Sequence, residues 1–162
     1  SRLDSDLSKD EMININLTSL IDGFITIRKE MIKGVQFKLN LEKDLFISGN
    51  ESRLIQVFDN LVNNSISFSP KDGEIKIDAL KIRGKIHVII SDQGRGIPEG
   101  KQDAIFDRFY SDRPSNEKFG KHSGLGLSIV KQILASHKAK IYADNIYHRN
   151  KDIKGAKFTI IF

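Results

Sequence analysis

Apolar positions along this chain change period several times, and each change marks the border of a helix or a strand. Alternation at every second residue in "VQFKLNLE" predicts a half-buried strand, with "LFISG" as its short partner. The same period gives a strand pair in "EIKIDAL" and "KIHVIISD", joined at "RG", and two last strands in "KIYADN" and "AKFTIIF" around a polar turn. A further short strand is read over 12–17. Helical spacing takes over elsewhere. The Ser-x-x-acid pattern of "SLID" opens a first helix whose Leu20, Phe24, Ile27 and Met31 share a side, and Gly34 closes it. A second helix covers about 52–68, closed by Pro70 and "KDG". After a loop-rich stretch over 93–123, "LSIVKQIL" gives a third, with Ile129, Val130, Ile133 and Leu134 as its core side. Leu3 and Leu7 in the polar "SRLDSDLSKDE" read as the end of a longer helix. Intermixed helices and strands predict a two-layer α/β (α+β) sandwich, a mixed sheet of about five strands carrying about three helices on one face. Strands joined by hairpins argue against a doubly wound parallel sheet.

Composition narrows the function classes. At 162 residues, 39% hydrophobic and 29% charged, the chain is long enough for one domain with a real core and is not disordered in composition. It has no cysteine, which excludes disulfides and thiolate metal sites, and its four histidines are too scattered to recruit zinc. The 26 Lys and Arg against 21 Asp and Glu are spread along the chain, not gathered with aromatics, which argues against nucleic-acid binding. No apolar run approaches the length of a membrane span, so no membrane contact is expected from this chain.

Three stretches carry chemistry. In "SRLIQVFDNLVNNSISFS" an ideal helix places Leu54, Val57, Phe58, Leu61, Ser65 and Phe68 along one side, and gathers Gln56, Asn60, Asn63, Asn64 and Ser67 on another. Solvated helix faces favour Lys and Glu, whereas Asn is a poor helix former, so this amide-rich face is read as presented to a ligand rather than to water; the alternative is a structural hydrogen-bond role. An Asn oxygen can coordinate Mg2+, and its amide can orient a bound oxygen ligand. "KIHVIISDQGRGIP" ends an apolar strand on Asp92 and turns through Gly94 and Gly96. An acceptor-only carboxylate in an apolar slot suits an exocyclic amino group such as that of adenine; the alternative is a plain Asp-Gly turn. No third glycine follows Gly96 at the dinucleotide spacing, and Pro98 stands where a helix would begin, so a Rossmann site is excluded. In "GKHSGLGLSIV" Gly124 and Gly126 precede a helix start, where backbone amides can approach an anion; the alternative is a hinge.

Taken in order, "QVFDNLVNNSISFS", "DQGRGIP", "IFDRFY" and "SGLGLSIVKQI" resemble the N, G1, F and G2 boxes of sensor histidine kinases, whose ATP-binding domains are shared with type II topoisomerases, heat-shock 90 chaperones and mismatch-repair ATPases. The resemblance covers about residues 12–162, with 1–11 as the end of the preceding dimerisation and phosphoacceptor helix. It implies a Bergerat ATP-binding fold, ATP and Mg2+ as ligands, and transfer of the γ-phosphoryl group to a His. Asn64 would hold Mg2+, with Asn60 one turn earlier as the other defining Asn of the box. Asp92 would read adenine, supported by Gly94, Gly96 and Ile97. Ser123, Gly124, Leu125, Gly126 and Leu127 would close over the triphosphate, and Phe106, Phe109 and Tyr110 would seat a lid over 111–123.

Departures from the pattern sharpen the expectation. A Lys or Arg usual in the family is replaced by Ser67, which leaves Arg113, Lys121 or His122 to supply the cation. The "HKA" at 137–139 stands for the usual His-Gly-Gly and is expected to touch a turn, not the site. Asn60 stands where hydrolytic relatives carry a Glu and cannot act as a general base, so efficient hydrolysis is not expected. None of the four histidines lies in a phosphoacceptor hairpin, so the chain is expected not to phosphorylate itself. The resemblance implies partners outside the chain, its own upstream dimerisation domain and a response regulator, and a place as the cytoplasmic part of an inner-membrane sensor. A hydrolysing ATPase of the same superfamily and a nucleotide-free interaction module with this fold are the alternatives.

Overall fold

The computed structural model describes residues 2–110 and 126–162. Its elements run α1 (Arg2–Leu7), β1 (Ile13–Asn16), α2 (Leu17–Met31), β2 (Val35–Leu41), β3 (Phe46–Gly49), α3 (Glu51–Phe68), β4 (Gly73–Ile82), β5 (Lys85–Ser91), a single 3-10 turn at Ala104–Phe106, α4 (Gly126–Ser136), β6 (Lys140–Tyr147) and β7 (Ile153–Ile161). Five strands form a mixed sheet in the order β2-β4-β5-β7-β6. The β2–β4 pair is parallel and the other three pairs are antiparallel. The two-residue turn between β4 and β5 places Arg83 and Gly84 at positive φ, the geometry that tight hairpins need.

One face of the sheet carries the core. Gly73, Ile75, Ile77 and Ala79 of β4 and Ile86, Val88 and Ile90 of β5 are buried, while their alternate neighbours are half-buried or exposed, as period two requires. All of these but Gly73 share one apolar cluster with Leu54, Val57, Phe58, Leu61 and Val62 of α3 and Val130, Ile133 and Leu134 of α4. Fifteen residues of α2 complete the helical layer. Leu7 of α1 is buried in the same cluster, and Asp10 just after it meets Arg53 of α3 at 2.7 Å.

Four local expectations are corrected. The first helix begins at Leu17, because the Asn16 side chain caps it by accepting from the Ser19 amide, so Ser19 is not its start. Its core side is Leu17, Ile21, Phe24 and Ile25, whereas Ile27 and Met31 are 63% and 71% exposed. "LFISG" pairs with β1 in a separate two-stranded sheet, leaving β2 to run parallel to β4. On α3, Phe68 is half-buried and Val62 takes a core place.

Candidate functional site

Alternation along β5 sends Ile86, Val88 and Ile90 to the helical layer, and Asp92 follows in the same row at the strand's end. The Asp92 amide still donates to the Ala156 carbonyl, so the backbone is held to β7 where the side chain turns inward. Asp92 as a whole is only 4% exposed. Its Oδ1 accepts from the Gly94 and Ala156 amides at 2.9 and 3.2 Å, while Oδ2 has no partner among the described residues. Burial pushes the carboxyl above its ordinary range; the two amide hydrogen bonds and the nearby Ser65 hydroxyl pull the other way without cancelling it. Ser65 Oγ on α3 is itself buried and meets full hydrogen-bond geometry with no described residue. A buried carboxylate with one oxygen anchored and the other open, beside an unmatched hydroxyl, forms a slot for a hydrogen-bond donor.

Close backbone contacts hold this slot in shape. A Cβ on Gly94 would lie 2.7 Å from the Phe68 carbonyl oxygen, so only glycine lets the loop pack on the end of α3. Gly96 has a φ of +81°, and a Cβ there would meet Ile153 and the Asn145 amide. That amide is a residue the sequence reading missed. Asn145 of β6 is buried and reaches across 48 positions to accept from the Ile97 amide at 2.6 Å and donate to the Ile97 carbonyl at 2.9 Å. It replaces a backbone partner for a loop that has left the sheet. Asn145→Ala is expected to leave both Ile97 groups unpaired, costing about 2 kcal/mol or more in urea unfolding. A variant unchanged in stability would show that water takes over both bonds.

Two helices frame the other side. On α3, Asn60 donates through Nδ2 to the Gly126 carbonyl at 3.2 Å, tying the helix to the first residue of α4, and its oxygen has no partner among the described residues. Asn64 is half-buried, and its side chain makes no hydrogen bond to any described residue. Asn63 does not belong with them: Arg28 of α2 donates to its oxygen and Asp59 accepts from its amide, so the predicted amide face is divided and Asn63 serves the α2–α3 contact. Ser67 Oγ donates to the Asn64 carbonyl. The described residues hold no group of three or more His, Cys, Asp or Glu that could enclose a metal. An open Asn oxygen can serve as one protein ligand of Mg2+, which keeps several waters and takes further ligands from substrate phosphates.

Phe106 is buried edge-on against Phe158, with ring centroids 6.2 Å apart. Phe109 is exposed at a positive φ, and Tyr110 is half-buried. Leu127 packs on the core from the first turn of α4. Arg113, Lys121, His122, Ser123, Gly124 and Leu125 lie outside the described residues. Arg95, between the two loop glycines, stacks its guanidinium 4.8 Å from the Phe68 ring centre. His137 touches no site residue named so far but is more than a turn residue: its Nε2 accepts from the Asn50 amide at the start of α3, and its Nδ1 bonds the Ile133 carbonyl.

Comparison with known proteins identifies the family and the fold. A family described as histidine kinase-, DNA gyrase B-, and HSP90-like ATPase matches residues 49–162. The sensor protein ChvG of Rhizobium meliloti (strain 1021) is 36% identical over 99% of this chain, and the sensor histidine kinase WalK of Bacillus subtilis (strain 168) is 33% identical over 86%. The chain spans only 30% and 24% of those two proteins. Among solved structures, a mycobacterial sensor histidine kinase, MprB, superposes with a TM-score of 0.80 at 25% identity, covering 93% of this chain and 96% of that one. The nucleotide-free catalytic domain of histidine kinase ThkA gives 0.79 at 28% identity, covering 94% and 95%.

Proposed function

Because the chain belongs to the histidine kinase-, DNA gyrase B- and HSP90-like ATPase family, we propose that it binds ATP with Mg2+ and positions the γ-phosphoryl group for transfer to a His outside this chain, as the catalytic part of a sensor histidine kinase. The observation that carries this reading is the Asp92 slot: a buried carboxylate with a single open oxygen, at the end of the strand that faces the Asn60 and Asn64 helix. Adenine's exocyclic amine donates where Asp92 Oδ2 accepts. Asn64 would hold Mg2+, which when bound supplies charge neutralisation for the phosphates. The chain's own part is to orient the base, keep the Gly94–Ile97 loop fixed through Asn145, and anchor the start of α4 through Asn60. Asn60 offers no basic group to activate water, so transfer to a docked nucleophile is favoured over hydrolysis. The response regulator is a partner of the whole protein; ThkA has been solved in complex with one, TrrA.

Calorimetry with a nonhydrolysable ATP analogue and Mg2+ tests the reading. Saturable heat with a one-to-one endpoint is expected; its absence at high protein concentration would leave an interaction module without nucleotide, the reading that Ser67 favours. Asn64→Ala is expected to retain adenosine binding and to lose the Mg2+ dependence of ATP-analogue affinity, measured by repeating the titration in EDTA. A variant as responsive to Mg2+ as the parent would remove Asn64 from the metal.

A further inference from the structure

The face of the five-stranded sheet turned away from the helices is not uniformly polar. Strand register places Leu80, His87 and Ile161 in one row across β4, β5 and β7, with Ile89 and Tyr142 in the next row and Ile82 at the hairpin end. Ile82 and Tyr142 are 40% and 48% exposed and the other four are half-buried. Adjacent strands lie about 4.8 Å apart, so from β4 to β6 this patch extends about 15 Å, the length of about ten helical residues.

Cations gather at the hairpin end of its border. Arg83, Lys85 and Lys140 stand around the hairpin end of the patch, and none is paired with an acid among the described residues. Of the acids near the apolar rows, Asp144 is exposed one row beyond Tyr142, across from Lys157, whereas the two toward the hairpin end are engaged. Glu42 accepts the Lys81 amide through Oε2 at 3.0 Å, and Asp78 is held by Asn40 at 3.0 Å and Lys76 at 3.7 Å. Unpaired cations at the hairpin end of the apolar rows, where the neighbouring carboxylates Glu42 and Asp78 are tied to the fold, complement a partner whose polar side is acidic there. A membrane-inserting surface would instead raise its apolar residues on protruding loops or a helix, and here most of them lie within the plane of the sheet.

We infer that this open sheet face docks an acidic amphipathic helix of another protein segment, apolar side on the Leu80–His87–Ile161 row and carboxylates toward Lys85 and Lys140. A helix of about ten residues spans the patch, so one of about 14 residues covers it with a margin at each end. The surface lies across the sheet from the Asp92 slot, so its occupancy is compatible with bound nucleotide.

The test uses the 15N-labelled chain and a synthetic 14-residue helical peptide with a Leu stripe and a Glu face, with a Lys-faced peptide of the same apolar pattern as control. Saturable amide shifts confined to β4, β5, β7 and β6, weakening as salt is raised, are expected for the Glu peptide alone. The double variant Lys85→Glu/Lys140→Glu is expected to bind it at least tenfold more weakly while binding the ATP analogue as the parent does. Equal binding of both peptides, or no saturable shift at millimolar peptide, would overturn the proposal. So would a response only to vesicles containing anionic phospholipid, which would assign the face to a membrane.

Discussion

Asp92→Asn is expected to weaken ATP-analogue binding by tenfold or more and, at neutral pH, to raise the melting temperature of the empty domain. Both effects come from the same atom. Oδ2 meets full hydrogen-bond geometry with no described residue and the Ser65 hydroxyl is the one side-chain donor named beside the carboxyl, so the largely buried carboxylate is short of donors until a ligand supplies one. Charge-assisted hydrogen bonds contribute about 1.5–3 kcal/mol, equivalent to roughly 10- to 150-fold in affinity. Asn keeps the oxygen that accepts from Gly94 and Ala156 but turns an NH2 toward the adenine amine, donor against donor. Guanine offers a carbonyl at the corresponding position, so discrimination between ATP and GTP should narrow as well.

The stability effect has a defined sign. Burial raises the folded-state pKa of Asp92 above its ordinary value. As pH falls, the folded domain therefore takes up this proton before the unfolded chain does. Between the ordinary carboxylate range and the raised folded value the native state holds more protons, and stability declines as pH rises through that window. Above the window Asp92 is a standing cost that Asn removes. The melting difference between variant and parent should be present at neutral pH and vanish in acid. An Asp92→Asn domain with full ATP affinity would make this residue a turn former, and one with an unchanged melting temperature at neutral pH would mean that Oδ2 is solvated.

Gly155→Ala is the second large effect. A Cβ there would stand 1.9 Å from the Asp92 carbonyl oxygen and 2.9 Å from its carbon, both backbone atoms that cannot rotate away. The clash falls where β7 holds the residue that forms the slot. Either the two strands part or Asp92 moves, so ATP-analogue binding should be lost, with a stability loss of about 2 kcal/mol or more in urea unfolding. Gly84→Ala is the control, because a Cβ at Gly84 meets nothing within 4 Å; only its positive φ is strained. Equal losses in both variants would trace the effect to glycine's backbone freedom and not to the contact with Asp92.

What could be read from the sequence divides by the distance over which a residue's role is defined. Asp92, Gly94 and Gly96 announce themselves because an apolar strand, a carboxylate and a glycine turn are adjacent in the chain. Asn145 and Gly155 do not: one acts on Ile97 from 48 positions away, the other is constrained by a backbone it meets only after β7 joins β5. The α2 face was misread for a different reason. Apolar residues cover so wide an arc of that helix that Phe24 belongs both to the row with Leu20 and Ile27 and to the row with Leu17 and Ile21. Only packing chooses between them. Asn63 looked like its neighbours Asn60 and Asn64 until Arg28, 35 residues earlier, occupied it. The partner of "LFISG" was equally hidden, since alternation gives a strand its faces but not its neighbour.

The α3–α4 pair is pinned at two points. Asn60 holds Gly126 near one end, and the Asn50 amide reaches His137 at the other. Ten positions separate the pins on α3 and eleven on α4, each about 15 Å of helix. Helix length is therefore a measured quantity in this fold. One residue inserted within α4 would rotate everything beyond it by about 100° and lengthen the span by about 1.5 Å. Only one pin could then close, so evolution can vary the side chains of α4 far more freely than it can vary their number.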